Sequence, residues 1–194
     1  MTTSTNIYYE FLAKTPPFDK LEPTVLERIV NLIEPLRYRM GQAILVKDNL
    51  PARIAILFEG KARLLGYAPS DLAPQTLKKL EPGAVIGATS IIRNVPCETA
   101  ISVCESVCLT LKVSDFIELL NKQPDIATYF RNSISLIEIF DLIGAELNRR
   151  GKVVHDLKEL AIEALNHATI LNLPSGKTPL NQIDPNLLWF VSSD

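Results

Sequence analysis

Between Gly41 and Val113 the chain is cut into short apolar runs by glycines, and this spacing restricts the fold more than any other feature. Ala43–Val46, Ile54–Phe58, Ala100–Val103 and Val107–Val113 are separated or bounded by Gly41, Gly60, Gly66, Gly83 and Gly87. Runs of this length between turn-forming residues predict strands. Several in one block, without helical periods between them, point to a sandwich, barrel or jelly roll rather than to alternating βαβ units.

Helical patterns flank the block on both sides. Val25, Leu26, Ile29, Val30 and Ile33 recur at three-to-four spacing within Leu21–Ile33, which predicts a helix with one buried face ending near Pro35. Ser114 reads as the cap of a short helix through Leu120, and Pro124 as the opening of a long one reaching about Arg149. In that long helix Tyr129, Phe130, Leu136, Ile137, Phe140, Ile143 and Leu147 form one stripe, while Ile134, Ile139 and Leu142 add apolar surface outside it. The excess calls for cover. Either a second copy or another protein packs there, or Val153–Leu165 folds back onto it.

Composition narrows the function classes. With 20 Lys and Arg against 22 Asp and Glu, the net charge is −2, so there is no global positive field to release counterions from nucleic acid or to hold anionic lipid. Arg131, Asn132, Ser133, Ser135, Glu138 and Asp141 interrupt the longest apolar stretch, which therefore does not predict a membrane span. Met1–Glu10 lacks the basic and apolar segments of a secretory signal, and the chain reads as cytoplasmic. Cys97, Cys104 and Cys108 have no metal-type spacing and sit in or beside apolar strand sequence, which predicts reduced thiols packed in a core.

Residues 83–100 carry the functional argument. Ile86-Gly87-Ala88-Thr89-Ser90 precedes Pro96-Cys97-Glu98-Thr99-Ala100, with a short helix and turn between them, and Gly41 and Gly60 stand at fixed distances upstream. In this arrangement the chain resembles the cyclic-nucleotide-binding domain family, the β-roll of catabolite-activator-type regulators, cyclic-nucleotide-dependent kinases and gated channels, over roughly Phe18–Asn148. The resemblance implies a mainly β fold with flanking α: a double-stranded jelly roll with an N-terminal helix and a long C-terminal helix. It further implies that residues 87–90 and 96–100 form the phosphate-binding cassette.

The departures from the family pattern are as informative as the match. Ala88 stands where the family places the glutamate that accepts the ribose 2′-hydroxyl. Cys97 stands where it places the arginine that pairs with the cyclic phosphate, and Ala100 replaces a hydroxyl residue. What remains is a glycine and a set of amides around Thr89, Ser90 and Glu98 that could accept an anion near a helix start. Leaving an anion without its charged partner costs about 3–5 kcal/mol, so a micromolar site becomes about millimolar or weaker. Glu98 adds negative charge beside it. Arg93 reads as a surface arginine in the cassette turn, with an inward swing toward the site as the alternative.

Past Arg150 the chain carries Lys152, Lys158 and Lys177 against Asp156, Glu159, Glu163, Asp184 and Asp194, with no arginine. A reader of the major groove needs basic and amide side chains, so the helix-turn-helix that follows the roll in catabolite-activator-type regulators is not expected. Instead Leu173–Gly176, Pro185 and Leu187–Val191 can be laid over Met40-Gly41, Pro51 and Arg53–Leu57. The match reads either as the start of a second, truncated roll or as a coincidence between two turn-then-strand segments. Trp189-Phe-Val-Ser-Ser-Asp194 also resembles the linker after the amino-terminal domain of some bacterial peptide-exporting ABC transporters.

No catalytic constellation is legible. His155 and His167 lack a nearby nucleophile or paired carboxylates, and Ser175-Gly176-Lys177-Thr178 lacks the leading glycine and strand of a phosphate-binding loop. The sequence therefore predicts a non-enzymatic chain without cofactor or metal, divided into a helical lead-in (1–17), a cyclic-nucleotide-binding-like domain (18–150) and a linker with the repeat-like segment (151–194). It would act through a protein partner or homodimer on the long helix, without nucleic acid and without membrane insertion. Two other readings stay open: a small-ligand sensor with Thr89, Ser90, Cys97 and Thr99 lining a more neutral pocket, and a dimerisation module built on Tyr129–Leu147.

Overall fold

The computed structural model describes residues 3–68, 73–152, 156–172 and 183–192. Helices α1 (Thr3–Leu12) and α2 (Pro23–Leu32) lead into eight strands: β1 (Glu34–Tyr38), β2 (Ala43–Leu45), β3 (Arg53–Glu59), β4 (Ala62–Gly66), β5 (Gln75–Leu80), β6 (Val85–Ile86), β7 (Thr99–Ser102) and β8 (Ser106–Lys112). A short helix α3 (Ala88–Arg93) lies between β6 and β7, and α4 (Val113–Lys122), α5 (Pro124–Asn132), α6 (Leu136–Arg149) and α7 (Leu157–His167) follow. All strand pairings are antiparallel, in two four-stranded sheets ordered β1-β8-β3-β6 and β2-β7-β4-β5. This is the jelly roll expected from the glycine-punctuated block.

Strand β3 shows why its sequence is a continuous apolar run rather than an alternating one. Side chains alternate across a strand. Ile54 and Ile56 face a layer of helices, where they join Leu12, Phe18, Leu26, Ile29, Phe116, Leu119, Ile126 and Phe130. Ala55 and Leu57 face the interior of the roll with Ala62, Leu64, Leu77, Ile86, Ala100 and Cys108. With both faces covered, the buried stretch Ile54–Leu57 has no position left to be polar; the charged residues Arg53 and Glu59 stand at the strand's ends. The same split divides β8, where Leu109 and Leu111 join the helices and Cys108 the roll.

The helix expected from Pro124 to about Arg149 is two helices. Helix α5 ends at Asn132 with Ser133 in an extended conformation, and α6 restarts at Leu136. Ser135 and Glu138 form a reciprocal capping box on α6, and the Ser133 hydroxyl donates to the Tyr129 carbonyl at 2.7 Å. These serines satisfy helix-end groups that a continuous helix would have bonded internally. At the other boundary α4 begins at Val113 with Lys112 in the cap position, so Ser114 lies inside the first turn rather than capping it.

The break turns α6 across the roll, and α7 folds back on it. Ile137 and Phe140 of α6, with Leu157 and Ala161 of α7, complete the roll's interior, and the Lys158 ammonium donates to the Thr76 carbonyl of β5 at 2.7 Å. Of the apolar excess Ile134, Ile139 and Leu142, Ile139 packs against the cluster that holds Leu157 and Ala161, as the fold-back alternative expects, while Ile134 and Leu142 are half-buried outside that cluster. Gly66 makes the close approach of α6 feasible: a Cβ there would lie 2.8 Å from both Phe140 Cε1 and Leu77 Cδ1.

In the repeat-like segment, Leu173–Gly176 lies outside the described residues. Leu187–Val191 has no strand partner among the described residues; it is exposed and follows a turn at Asp184, whose carbonyl accepts the Trp189 indole N–H at 2.8 Å. His155 and Ser175–Thr178 also lie outside the described residues, and His167 is exposed.

Candidate functional site

The cassette is built at the crossing from β6 to β7. Gly87 adopts φ +90°, the left-handed conformation that glycine tolerates best, and so turns the chain out of β6 into α3. Asn94, at φ 56°, ends α3 in the same left-handed region. Ser90 and Glu98 then face each other across the loop, both buried.

Glu98 is the centre of the site. Its Oε2 accepts from the Ser90 amide at 3.1 Å and from the Ser90 hydroxyl at 3.2 Å, and the Gly87 amide also donates to the carboxylate. The Ser90 hydroxyl in turn accepts from the Cys97 amide at 3.3 Å, with the Cys97 thiol 3.5 Å away. Two amides that the sequence offered to an external anion therefore hold an internal carboxylate. Backbone donors at a helix start suit negative charge whatever its source, and Glu98 brings that charge within the chain.

Burial dominates the electrostatics. It pushes the Glu98 carboxyl above its ordinary 4.5, the Ser90 and Gly87 hydrogen bonds pull it back, and Glu138 adds to the rise. A carboxyl whose folded pKa lies above its unfolded one contributes stability that is complete below the unfolded value and is lost as pH rises through the folded one. Relative to Glu98→Gln, the wild-type chain should therefore lose stability as pH is raised from about 4.5 toward neutrality, by up to about 1.4 kcal/mol per pH unit for one proton. Urea unfolding of both chains across that range tests this, and a difference that does not change with pH would contradict it.

Cys97 is no nucleophile in this setting. Burial pushes its thiol up to about 12, against the Ser90 hydrogen bond and with help from the negative charges of Glu98, Asp141 and Glu138. The thiolate is the reactive form, so Cys97 behaves as a small apolar group, in the buried cluster that also holds Ile137 and Phe140. Cys108 is also pushed up to about 12 by burial. Neither is disulfide-bonded, and Cys104 is half-buried and free.

The other cassette positions are more dispersed. Ala88 packs on the helix side of the sheet with Leu12 and Ile54, away from Cys97 and Ala100, which face the roll interior. Thr89 is half-buried and Pro96 exposed. The Thr99 hydroxyl accepts the Lys47 amide at 3.1 Å and so joins the end of β2 to β7, while the Lys47 ammonium lies 5.2 Å from the centre of the Tyr67 ring. Gly87, Ser90, Cys97 and Glu98 thus converge; Ala88, Pro96 and Thr99 do not join them.

Arg93 corrects both sequence expectations for it. It is neither a surface residue nor turned toward the cassette: only 7% exposed, it reaches the α5–α6 break and pairs with Glu138. Two further residues near the site, Glu138 and Asp141, whose charges act on Cys97, come from α6, which the sequence reading places within one long helix opening at Pro124. Burial raises the Asp141 carboxyl and Lys47 opposes the rise. A signal was present in Ser135-x-x-Glu138, the capping-box pattern that starts a helix. Among the described residues no group of three or more His, Cys, Asp and Glu could hold a metal ion, and no described helix is long and apolar enough to cross a membrane.

Two antiparallel sheets closed into a jelly roll, with a glycine-led short helix between β6 and β7 and helices at both ends, define the class of cyclic-nucleotide-binding folds. Residues 35–123 match the family model described as "Cyclic nucleotide-binding domain". In solved structures the chain is similar to the regulatory domain of Toxoplasma gondii PKA with cAMP (19% identity, TM-score 0.59, covering 64% of this chain and 48% of that one). It is also similar to the Thermus thermophilus catabolite activator protein (20% identity, TM-score 0.53, covering 80% and 63%). Among curated proteins, the acetyltransferase Pat of Mycolicibacterium smegmatis is 27% identical over 107 residues, 55% of this chain and 32% of that protein. The chain thus spans about a third of its curated relative and about half of the Toxoplasma domain.

Proposed function

We propose that this chain is a non-catalytic regulatory module of the cyclic-nucleotide-binding type whose cassette is closed by its own side chains. It does not take cyclic AMP or cyclic GMP in the usual way and works through protein contacts, as the cytoplasmic regulatory part of a larger signalling or export protein. The observation that carries this is the Glu98 carboxylate seated on the Ser90 and Gly87 amides. A cyclic phosphate would have to displace a buried anion from those donors. It would find a thiol and a methyl, at Cys97 and Ala88, where the family supplies an arginine and a glutamate.

Two features speak against a neutral small-ligand pocket lined by Thr89, Ser90, Cys97 and Thr99. The Ser90 and Thr99 hydroxyls are already engaged, by Glu98 and by the Lys47 amide. The matching segment in the mycobacterial acetyltransferase occupies a third of a longer chain, which is the arrangement expected of an accessory domain. Titration calorimetry with cyclic AMP, cyclic GMP and cyclic dinucleotides tests the reading. The missing charged partner costs about 3–5 kcal/mol, so no dissociation constant tighter than about 10 μM is expected; a tighter one overturns the proposal.

A further inference from the structure

Past α7 the chain carries an apolar run on its surface. Leu187, Leu188, Trp189, Phe190 and Val191 are all exposed, Leu188 by 78% and Val191 by 83%. Single exposed apolar residues are ordinary, but several in succession mark a surface that another surface covers. The run is also held in place at its start. Asp184 Oδ1 accepts from the Asn186 amide at 2.9 Å and from the Asn186 side chain at 3.0 Å. The Asp184 carbonyl accepts from the Leu187 amide at 3.2 Å and from the Trp189 indole at 2.8 Å. A turn closed in this way fixes the segment before a partner arrives, which lowers the ordering cost of docking it.

A matching surface lies elsewhere on the same molecule. Between α1 and the roll runs an open groove of about 430 Å³, walled by Ile7 and Phe11 of α1, Phe58 of β3 and Pro82 of the β5–β6 turn, with Glu10 and Lys14 beside them. Phe58 stands edge-on to Tyr8 and Phe11, with ring centres 5.3 and 4.9 Å apart, so the aromatic wall is already formed. Ile7 is 51% exposed in it, and the run of the same copy does not line it. Both surfaces are aliphatic and aromatic, and the Lys14 ammonium is opposite in sign to the Asp184 carboxylate that starts the run. An apolar segment that fits a pocket elsewhere on its own molecule makes a head-to-tail contact between copies. We propose that residues 187–191 of one copy dock into the groove between α1 and Phe58 of a second copy, with Asp184 facing Lys14. This goes beyond the closed-cassette reading: it uses neither the cassette nor α6, and it stands whether or not a nucleotide binds.

Analytical ultracentrifugation of the 194-residue chain tests the contact. So small an interface is of the weak, transient kind, so the average mass should climb above that of the monomer between about 5 and 500 μM. Leu188→Ser combined with Val191→Ser, at positions too exposed to disturb the fold, should weaken association at least about tenfold, and Ile7→Glu, which puts a charge into the groove, should do the same. An equimolar mixture of these two defective chains should associate again. The first keeps an intact groove and the second an intact run, so the mixture stops at a one-to-one pair. The proposal is overturned if the wild-type chain stays monomeric at about 500 μM, if either variant associates within about twofold of wild type, or if the mixture remains as monomeric as its parts. Should Ile7→Glu unfold α1, the exposed Lys14→Glu replaces it. It turns attraction to Asp184 into repulsion, so association at low salt should weaken about threefold or more, and added salt should remove that difference. No weakening at low salt counts against the contact.

Discussion

Replacing Phe140 by alanine should lower the unfolding free energy by about 3–5 kcal/mol, the usual cost of deleting a buried aromatic ring. Phe140 is fully buried and is the largest side chain that α6 contributes to the roll. Its ring lies where a Cβ at Gly66 would touch it, so the sheet has been kept bare to receive it. The cavity cannot collapse easily, because the facing wall is sheet backbone and the Leu77 side chain is already in contact. Urea unfolding measures the loss. A change below about 1 kcal/mol would mean that α6 is not packed into the roll as described. A second outcome follows from the same geometry. Gly66→Ala alone should be destabilising through overpacking, about 1–3 kcal/mol, and less so in the Phe140→Ala background, where one of the two contacts it violates is gone.

The largest change in binding should come from restoring the cassette in two steps. Cys97→Arg alone is expected to create no cyclic-nucleotide site, because the new guanidinium would find Glu98, Asp141 and Glu138, the negative charges that already act on Cys97. An internal ion pair would consume it. Cys97→Arg combined with Glu98→Ala removes the carboxylate from the Ser90 and Gly87 amides and leaves those donors and the arginine for a phosphate. A charged partner regained for a buried anion is worth about 3–5 kcal/mol, so the double variant should bind cyclic AMP or cyclic GMP at least about 100-fold tighter than the wild-type chain. Calorimetry on the three chains decides it. Equal affinities within about threefold would show that Glu98 is not what closes the cassette.

The contrast between β3 and β1 shows which strands could be read from the sequence. Ile54–Phe58 was legible because the strand is buried on both faces and so is written almost wholly in apolar residues. Strand β1, Glu34–Tyr38, is an edge strand with mostly exposed side chains and a proline; its sequence lacks both the run and the alternation that announce a strand. Strand β5 reads Gln-Thr-Leu-Lys-Lys-Leu, with a register shift against β4 that spoils the period of two. Both were invisible for the same reason: an edge needs little burial, and it is burial that leaves a pattern.

The candidate site divides along similar lines. The frame of glycine, short helix and return strand, and the presence of a methyl at Ala88 and a thiol at Cys97 within it, follow from residue identity at fixed spacing along one stretch of chain. That Glu98 would turn inward onto Ser90, and that Arg93 would leave the cassette altogether, does not. Both depend on how much room and how many unpaired donors the fold leaves at each point. Arg93 meets Glu138 across 45 residues, and no local pattern encodes a distance of that kind.

What the sequence by itself determined is the jelly-roll class and the side chains that Ala88, Cys97 and Ala100 offer between β6 and β7, because strand and turn propensities and the chemistry of single side chains act locally. Only the tertiary structure decided that the vacated amides are filled from within, that the C-terminal helix breaks at Ser133–Ser135, and that α6 closes the roll. The physical reason is that a buried charge or helix end must find its partner wherever the packing brings one. Which groups meet is set by the positions of whole elements, which no segment of the chain specifies alone.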